Sequence, residues 1–484
     1  MNSQRHQFSR RQILQRAALG FGGVALTDLL ARQARGQTYG QTHGQESVGF
    51  SHVSAPHFAP RAKQIIYIFL DGGVSHLDTY DYKPLLQRDD GKPLPESIRK
   101  PKFTFAPQGT ILKSPWKFKQ IGEAGKWCSN LFPEVNKLID DLCFIHSLHH
   151  TNNDHFTAKN MIHTGSGREP RPTLGSWLSY GLGSENANLP AYIDILPDSP
   201  RSRPTAFLPA RYSGTPILKA DKTQKNLQWD NLTGAATNQR EHLNLVQKMN
   251  QAQLLRTGND DALESEIHNL ELAFRMQTQA PDIMSLDGES KATMDLYGIG
   301  EPNTTDFGRA LLLARRFAEK GVRYITVTHS TVKYGNLWDQ HGDLLAGHTG
   351  NARAVDKPIA GLLRDLKARG MLNDTLVMCG SEFGRTPVFE FMDGGSGRLR
   401  NGRDHNPHGF TMWFAGGGTK PGISHGETDD YGYYAIRDKV SIHDLHATLL
   451  HLMGIDHEAL TYHYASRDYR LTDVYGDVVR SILA

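Results

Sequence analysis

Continuous apolar runs alternate along the chain with segments of helical periodicity. Four short apolar runs stop at polar or Gly-containing segments, as strands buried on both faces of a sheet do, and they cover residues 64–70, 142–145, 324–328 and 376–380. Apolar side chains recur at helical spacing in residues 307–320 and 355–370, and Gly321 and Gly370 stand where helices usually end. This alternation predicts an α/β fold with a doubly wound, mostly parallel sheet.

The N-terminal residues do not follow this alternation. Arg10 and Arg11 precede a weakly apolar, Gly/Ala-rich stretch that is too short and too interrupted to span a membrane. Small residues at positions 34 and 36 offer a cleavage site, so we predict a twin-arginine signal peptide over residues 1–36 and a polar linker over residues 37–60. A basic amphipathic helix is the alternative interpretation.

The twin-arginine export machinery translocates folded proteins, so a metal or cofactor can be loaded in the cytoplasm. We therefore expect a periplasmic or secreted protein. No other apolar run in the sequence is long enough to cross a membrane.

Residues 61–484 are predicted to form one α/β domain with insertions at about residues 85–135 and 200–300. The formal net charge of +3 gives no indication of a nucleic-acid partner. Three cysteines cannot form a disulfide framework, and two of them lie in apolar runs, so we expect core thiols.

Carboxylates and imidazoles gather directly after the predicted strands. Six of them are candidate metal ligands: Asp71, Asp339, His341, Glu382, Asp404 and His405. The carboxyl ends of strands in such a sheet meet at one rim, and carboxylate oxygen and imidazole nitrogen bind Zn²⁺ and other divalent ions. We therefore expect one or two divalent metal ions, with zinc, manganese and calcium as candidates. A polar surface loop around residues 404–405, and helix capping by Asp71, are the alternatives.

A His/Asn/Thr-rich loop leads into a predicted helix over residues 156–163. Helix N-termini bind oxyanions and can activate hydroxyls, which makes Thr157 a catalytic candidate and His155 a candidate base or metal ligand. Arg385 and Arg403 are candidates to bind ester oxygens bidentately, with a structural salt bridge as the alternative for Arg385. Three further residues are candidates for substrate binding: His76, Asp78 and His408.

Six segments of the chain resemble the motifs of domain-of-unknown-function family 1501. They are residues 69–81, 338–341, 381–387, 403–406, 415–418 and 443–448, so the resemblance spans nearly the whole mature chain. That family is similar in turn to the alkaline phosphatase and sulfatase superfamily. The resemblance implies a metal ligand at Asp71, an Asp–His pair at Asp339 and His341, and a late ligand at His405 or His408.

The chain departs from the superfamily pattern at two positions. Counting back from Thr164 and Gly165, the nucleophile position falls on His155, which has neither hydroxyl nor thiol, and Thr157 is out of register. Phe383 stands where a ligand His is expected, although Glu382 supplies a carboxylate. No Cys-x-Pro-Ser-Arg motif is present, which excludes the formylglycine route. The alternatives are an unusual nucleophile, direct attack by water, or a site without this chemistry.

Three functions fit these observations. The first is an exported metal-dependent hydrolase of sulfate or phosphate esters, with small-molecule and polysaccharide esters as candidate substrates. The second is an exported binding or surface protein that keeps the fold without turnover, which the missing nucleophile favours. The third is a metal-dependent phosphotransferase or mutase, and export away from phosphorylated metabolites argues against it.

Overall fold

The structure is a computed structural model that describes residues 55–98, 108–196, 205–219, 227–228, 239–258, 260–330, 337–390 and 401–484. The predicted signal peptide and most of the predicted linker lie outside these residues. Within them, the α-helices are α1 (Pro84–Arg88), α2 (His155–Thr164), α3 (Leu174–Leu182), α4 (Gln239–Thr257), α5 (Asp261–Met284), α6 (Lys291–Leu296), α7 (Thr305–Glu319), α8 (Leu344–Ala368) and α9 (Ile442–Leu452).

The strands of the same residues follow in chain order. They are β1 (Gln64–Leu70), β2 (Gln108–Ile111), β3 (Phe118–Ile121), β4 (Lys126–Ser129), β5 (Leu142–His149), β6 (Tyr192–Ile195), β7 (Thr215–Lys219), β8 (Leu227–Gln228), β9 (Tyr324–His329), β10 (Thr375–Gly380), β11 (Gly384–Glu390), β12 (Arg403–Asn406), β13 (Phe410–Ala415), β14 (Ser424–His425), β15 (Glu427–Thr428), β16 (Ala435–Arg437), β17 (Val440–Ser441), β18 (Tyr462–Tyr464) and β19 (Arg467–Tyr469).

β1 lies inside a sheet with the strand order β14-β5-β13-β10-β1-β9-β6-β7-β8, in which β17 also pairs with β5. It runs parallel to β9 and β10, and β6 runs parallel to β9 and β7. β13 is antiparallel to both of its neighbours, because the chain returns from β10 through β11 and β12 without a crossover helix. The predicted α/β fold with a large, mostly parallel sheet is confirmed.

Helices cover both faces of this sheet. Alternate residues of β1 point to opposite sides: Ile66 and Ile68 belong to a core that includes residues of α7 and α8, whereas Ile65 and Tyr67 belong to one that includes residues of α3 and α9. All seven residues of β1 are buried, as its continuous apolar run predicts. The sheet is therefore doubly wound.

Two elements differ from the prediction. α8 begins at Leu344, eleven residues before the predicted start. The apolar pattern missed these first turns because they carry small and polar side chains. The segment after β10 contains β11 and β12, which the apolar pattern does not predict, and these strands form a separate three-stranded sheet with β2. Among the described residues, no helix combines the length and the hydropathy that a membrane span requires.

Candidate metal centre

The carboxyl ends of β1, β9 and β10 lie side by side, and the loops that follow them are joined by hydrogen bonds. The backbone N–H of Trp338 donates to the carbonyl oxygen of Asp71 at 3.0 Å. The backbone N–H of Gly72 lies 3.1 Å from each carboxylate oxygen of Glu382. This rim is the place where side chains from distant parts of the sequence can meet.

Four side chains converge at the rim, and we call them the His₃Asp group: His155, Asp339, His341 and His405. One potential ligand atom from each lies within 4.8 Å of all the others. Oδ1 of Asp339 is 2.9 Å from Nε2 of His341 and 3.2 Å from Nε2 of His405, and its Oδ2 is 3.2 Å from Nε2 of His155. The Nε2 atoms of His341 and His405 are 3.1 Å apart.

Two of the rings are fixed through their outer nitrogens. Nδ1 of His155 lies 2.6 Å from Oε1 of Glu382, and Nδ1 of His405 lies 2.6 Å from the carbonyl oxygen of Asn153. Carboxylate and carbonyl oxygens accept hydrogen bonds, so Nδ1 of each ring carries the proton and is the donor. Metal-bound histidines are commonly oriented in this way, with Nε2 turned towards the ion.

Glu382 is therefore placed behind His155 and outside the His₃Asp group. Its side chain is completely buried, and the hydroxyl oxygen of Ser381 lies 2.8 Å from its Oε2. The carbonyl oxygen of the same residue accepts from Nε2 of His150 at 2.6 Å. Both its carboxylate and its backbone are thus held by buried partners.

Arg385 is the cation behind Asp339. Its guanidinium is fully buried, and one nitrogen lies 2.7 Å from Oδ1 of Asp339. The same side chain donates to the carbonyl oxygens of Gly73 at 2.8 Å and of Arg403 at 2.9 Å, and also to that of Gly72. Since these bonds use the fork of donors inside the protein, Arg385 positions Asp339 and the loop after β1.

The electrostatics of the group follow from burial and from these partners. Burial alone would raise the pKa of Asp339, but the charge of Arg385 and hydrogen bonds from His155 and His341 hold it well below its ordinary value. Burial lowers the pKa of His405 to about 4, so this ring is neutral at pH 7. Burial also opposes the charge on His155, yet hydrogen bonds with Asp339 and Glu382 raise its pKa to about 9.

The donor chemistry of the group fits a divalent cation. His405 is neutral and its proton is on Nδ1, so its Nε2 lone pair faces Oδ1 of Asp339 at 3.2 Å. Two acceptors at that distance are stabilised by a cation between them. In a tetrahedral zinc site with bonds of about 2.0–2.1 Å, neighbouring ligand atoms lie about 3.3 Å apart, close to the separations around Asp339.

Asp71 lies outside the His₃Asp group. Its side chain is completely buried, and Oδ1 lies 2.5 Å from Nζ of Lys159. Lys159 belongs to α2, one turn after His155, and the sequence analysis did not single it out. The i,i+4 spacing from His155 was the available signal, but it is also the spacing of ordinary surface residues on a helix.

Asn153 was also missed as a partner of the site. It contributes a backbone carbonyl, and carbonyl oxygens carry no sequence signature. Phe383 packs its ring 4.3 Å from the ring of His405 and 5.0 Å from that of His155, centroid to centroid. It is buried and forms an apolar wall beside these two histidines.

The remaining predicted site residues have other partners. Arg403 and Asp78 form a completely buried ion pair, with Nε 2.8 Å from Oδ2. The hydroxyl of Thr157 contacts the carboxylate of Asp154, which caps α2 by accepting from the Thr157 N–H at 2.9 Å. Asp404 accepts from the backbone N–H of His405 at 2.7 Å.

The predicted substrate-binding histidines also have partners away from the group. Nε2 of His76 lies 2.8 Å from the carbonyl oxygen of Gly432, and this ring is buried. His408 stacks on Tyr434 with ring centroids 5.2 Å apart. None of these contacts brings either ring to the His₃Asp group.

No curated protein matches this chain in sequence. Several solved structures are similar to it in fold, at low identity. A sulfatase, PsFucS1 from Pseudoalteromonas sp., is 12% identical and aligns over 92% of this chain and 72% of its own, with a TM-score of 0.34. The alkaline phosphatase of the Antarctic bacterium TAB5 is 10% identical over 81% and 98% of the two chains, with a TM-score of 0.34.

A third similar structure is the lipoteichoic acid synthase LtaP from Listeria monocytogenes, which is 11% identical over 84% of this chain and 76% of its own, with a TM-score of 0.31. At such scores the likeness carries no information about a substrate or a site. The sequence match is more extensive, because it runs from residue 62 to residue 483. It is a match to the family described as "Protein of unknown function (DUF1501)", and the chain belongs to that family.

Proposed function

We propose that this protein is an exported metal-dependent hydrolase of sulfate or phosphate esters. The observation that supports the proposal is the convergence of three histidines on the carboxylate of Asp339, with Nε2 of His405 3.2 Å from its Oδ1. His155, Asp339, His341 and His405 would hold the ion. A divalent ion supplies Lewis acidity and lowers the pKa of water towards 7.

The residues around the group have separate tasks in this proposal. Glu382 and Asn153 orient two of the rings, and Arg385 orients Asp339. The side chains of Asp339 and His341 are each 24% exposed, so an ester can approach from their side. Phe383 is buried against the rings of His155 and His405 and excludes water from that part of the group.

A non-catalytic exported metal-binding protein is the second candidate. One observation favours this second candidate. The hydroxyl of Thr157, two residues after the predicted nucleophile position, is hydrogen-bonded to Asp154 in the cap of α2. In the hydrolase, water would then have to be the nucleophile. A panel of sulfate and phosphate esters separates the two candidates, because only the hydrolase turns over.

Metal content tests the proposal directly. Purified mature protein should contain about one equivalent of zinc, manganese or calcium by mass spectrometry, and Asp339→Ala and His405→Ala should lose it. His408→Ala is the matched control, because His408 is three residues from His405 but stacks on Tyr434, and it should keep the metal. Wild type without stoichiometric metal would overturn the proposal.

Export has its own test. Arg10 and Arg11 support a twin-arginine signal, so replacing both with lysine should leave unprocessed precursor in the cytoplasm. Mature protein outside the cytoplasm in that variant would contradict the predicted route without affecting the metal proposal.

A further inference from the structure

His150 directly follows β5, at the start of the loop that leads to α2. The residue is 6% exposed, and both of its ring nitrogens have partners within the protein. Nε2 lies 2.6 Å from the carbonyl oxygen of Glu382, and Nδ1 lies 3.0 Å from the backbone nitrogen of Asn152. The backbone N–H of His150 donates to the carbonyl oxygen of Pro407 at 2.8 Å. One buried residue thus connects the loops that follow β5, β10 and β12.

These partners determine which nitrogen of His150 carries the proton. A carbonyl oxygen can only accept, so Nε2 is the donor, and a backbone N–H can only donate, so Nδ1 is the acceptor. Burial also lowers the pKa of this ring to about 4. The ring is therefore a neutral imidazole at pH 7, with each nitrogen committed to one hydrogen bond.

The bond from Nε2 holds Glu382, which stands behind His155. The carboxylate of Glu382 lies 2.6 Å from Nδ1 of His155, 2.8 Å from the hydroxyl oxygen of Ser381 and 3.1 Å from the backbone nitrogen of Gly72. These contacts fix the end of the side chain. The bond from His150 fixes the backbone from which the side chain projects, so both ends of Glu382 are held.

The other two bonds of His150 hold the surroundings of His405. Asn152, which donates to Nδ1 of His150, directly precedes Asn153, and the carbonyl oxygen of Asn153 lies 2.6 Å from Nδ1 of His405. Pro407, whose carbonyl oxygen accepts from the backbone of His150, follows His405 by two residues. His150 therefore connects the strand that carries the His405 ring with the carbonyl oxygen that orients this ring.

From these contacts, we infer that His150 is a positioning residue of the candidate metal centre. Through Glu382 it keeps Nε2 of His155 turned towards the His₃Asp group, and through Asn153 it does the same for His405. A role of His150 in metal binding rests on the proposed function. The orientation of the two rings is a property of the metal-free protein as well, so it can be tested separately.

Three substitutions separate the two ring bonds. His150→Ala removes both. His150→Asn keeps an acceptor for the N–H two residues later, a bond that Asn side chains commonly make in turns. His150→Gln keeps an N–H donor near the position of Nε2. His149→Ala is the matched control, because His149 is the neighbouring histidine at the end of β5 and pairs with Ser441 of β17.

The first measurement uses full-length mature protein without metal. Nitrogen-15 NMR of labelled histidine rings shows which nitrogen of His405 carries the proton, and the spectrum of His405→Gln identifies the signal. We expect the Nδ1–H form in wild type, His150→Asn and His149→Ala. In His150→Ala and His150→Gln the Asn152 bond is lost, so the His405 ring should exchange between its two neutral forms.

The second measurement is zinc affinity in a chelator competition. His150→Ala should weaken zinc binding at least about tenfold, the usual effect of losing residues that orient metal-bound histidines. His150→Asn and His150→Gln each keep one bond and should lose less, and His149→Ala should bind as wild type does. Urea denaturation of the same variants measures stability, and a general loss of packing would not separate His150→Asn from His150→Gln in the NMR spectrum.

Two results would overturn the inference. An unchanged Nδ1–H form of His405 and wild-type zinc affinity in His150→Ala would show that His150 positions neither ring. Equal changes of the His405 signal in His150→Asn and His150→Gln would show that packing, and not the bond to Asn152, is responsible, and this comparison holds even if His150→Ala does not fold. Wild type that binds no zinc would end the hydrolase proposal, while the His405 signal of the metal-free protein would still decide this inference.

Discussion

Lys159 and Asp71 form an ion pair at the end of β1, with Nζ 2.5 Å from Oδ1. The carboxylate is completely buried, and the lysine side chain is 18% exposed. For Asp71 to bind a metal ion, as the sequence predicts, the ammonium group would have to leave. The carboxylate of Asp71 is thus paired with a cation that the chain itself supplies.

Removing Lys159 should destabilise the protein. Lys159→Ala leaves the buried carboxylate of Asp71 without its cation, so we expect the free energy of unfolding to fall by about 3 kcal/mol. The double variant Asp71→Asn/Lys159→Met removes both charges, so its free energy of unfolding should fall by less than that of the lysine variant. Urea denaturation of Asp71→Asn, Lys159→Met and the double variant measures the coupling, and additive losses would show that the pair does not interact.

Glu382 should control metal affinity without being a ligand of the group. It accepts from Nδ1 of His155 at 2.6 Å, and residues that orient metal-bound histidines typically contribute about 10- to 100-fold in affinity. We expect Glu382→Ala to weaken zinc binding by that factor in a chelator competition. Glu382→Gln keeps an acceptor oxygen and should lose less, whereas equal losses would argue against orientation through Nδ1.

Gly402 should be required for the position of His341. A Cβ at Gly402 would lie 2.0 Å from the carbonyl carbon of His341, and the next residue, Arg403, donates its backbone N–H to Gln340 at 3.0 Å. Gly402→Ala should therefore displace His341, lower metal affinity at least tenfold and cost about 1–3 kcal/mol of stability.

Gly350→Ala is the control for this substitution. Gly350 lies in α8 and has no atom within 4 Å of an added Cβ, so alanine should keep the metal and stabilise the helix by up to about 1 kcal/mol. Unchanged zinc affinity in Gly402→Ala would show that the loop accommodates the methyl group elsewhere.

The fold was predictable where the hydrophobic pattern is unambiguous. The run of residues 64–70 is apolar apart from Gln64 and coincides with β1, and Gly321 directly follows the last turn of α7. The start of α8 was not predictable, because residues 344–354 contain two glycines and polar side chains that do not form a helical apolar stripe. Their helical conformation depends on tertiary packing, which includes the buried ring of His348.

The candidate site was predictable in its location and less so in its details. Strand-end reasoning brings Asp339, His341 and His405 to one rim, and the structure joins His155 to them. That Glu382 contacts the outer nitrogen of His155 depends on which way one side chain points, and this leaves no trace in the spacing of residues. Sequence spacing also cannot show that Arg403 is turned away towards Asp78.

Buried neutral histidines should make the protein sensitive to acid. His446 is 1% exposed, its Nε2 donates to the carbonyl oxygen of Ile162 at 2.9 Å, and burial lowers its pKa to about 3. Below pH 6.5 the unfolded chain binds a proton at this position and the folded protein does not. The free energy of unfolding therefore falls as the pH falls from about 6.5 towards 3.

For His446 alone, the loss between pH 7 and pH 5 should be about 2 kcal/mol. His446→Gln keeps a donor for the Ile162 carbonyl without a titratable ring, so its stability should fall by that much less over this range, whatever its stability at pH 7. Urea denaturation at both pH values measures the difference. The exposed His242→Gln is the control and should follow wild type, and an equal fall in His446→Gln would show that His446 does not contribute to acid sensitivity.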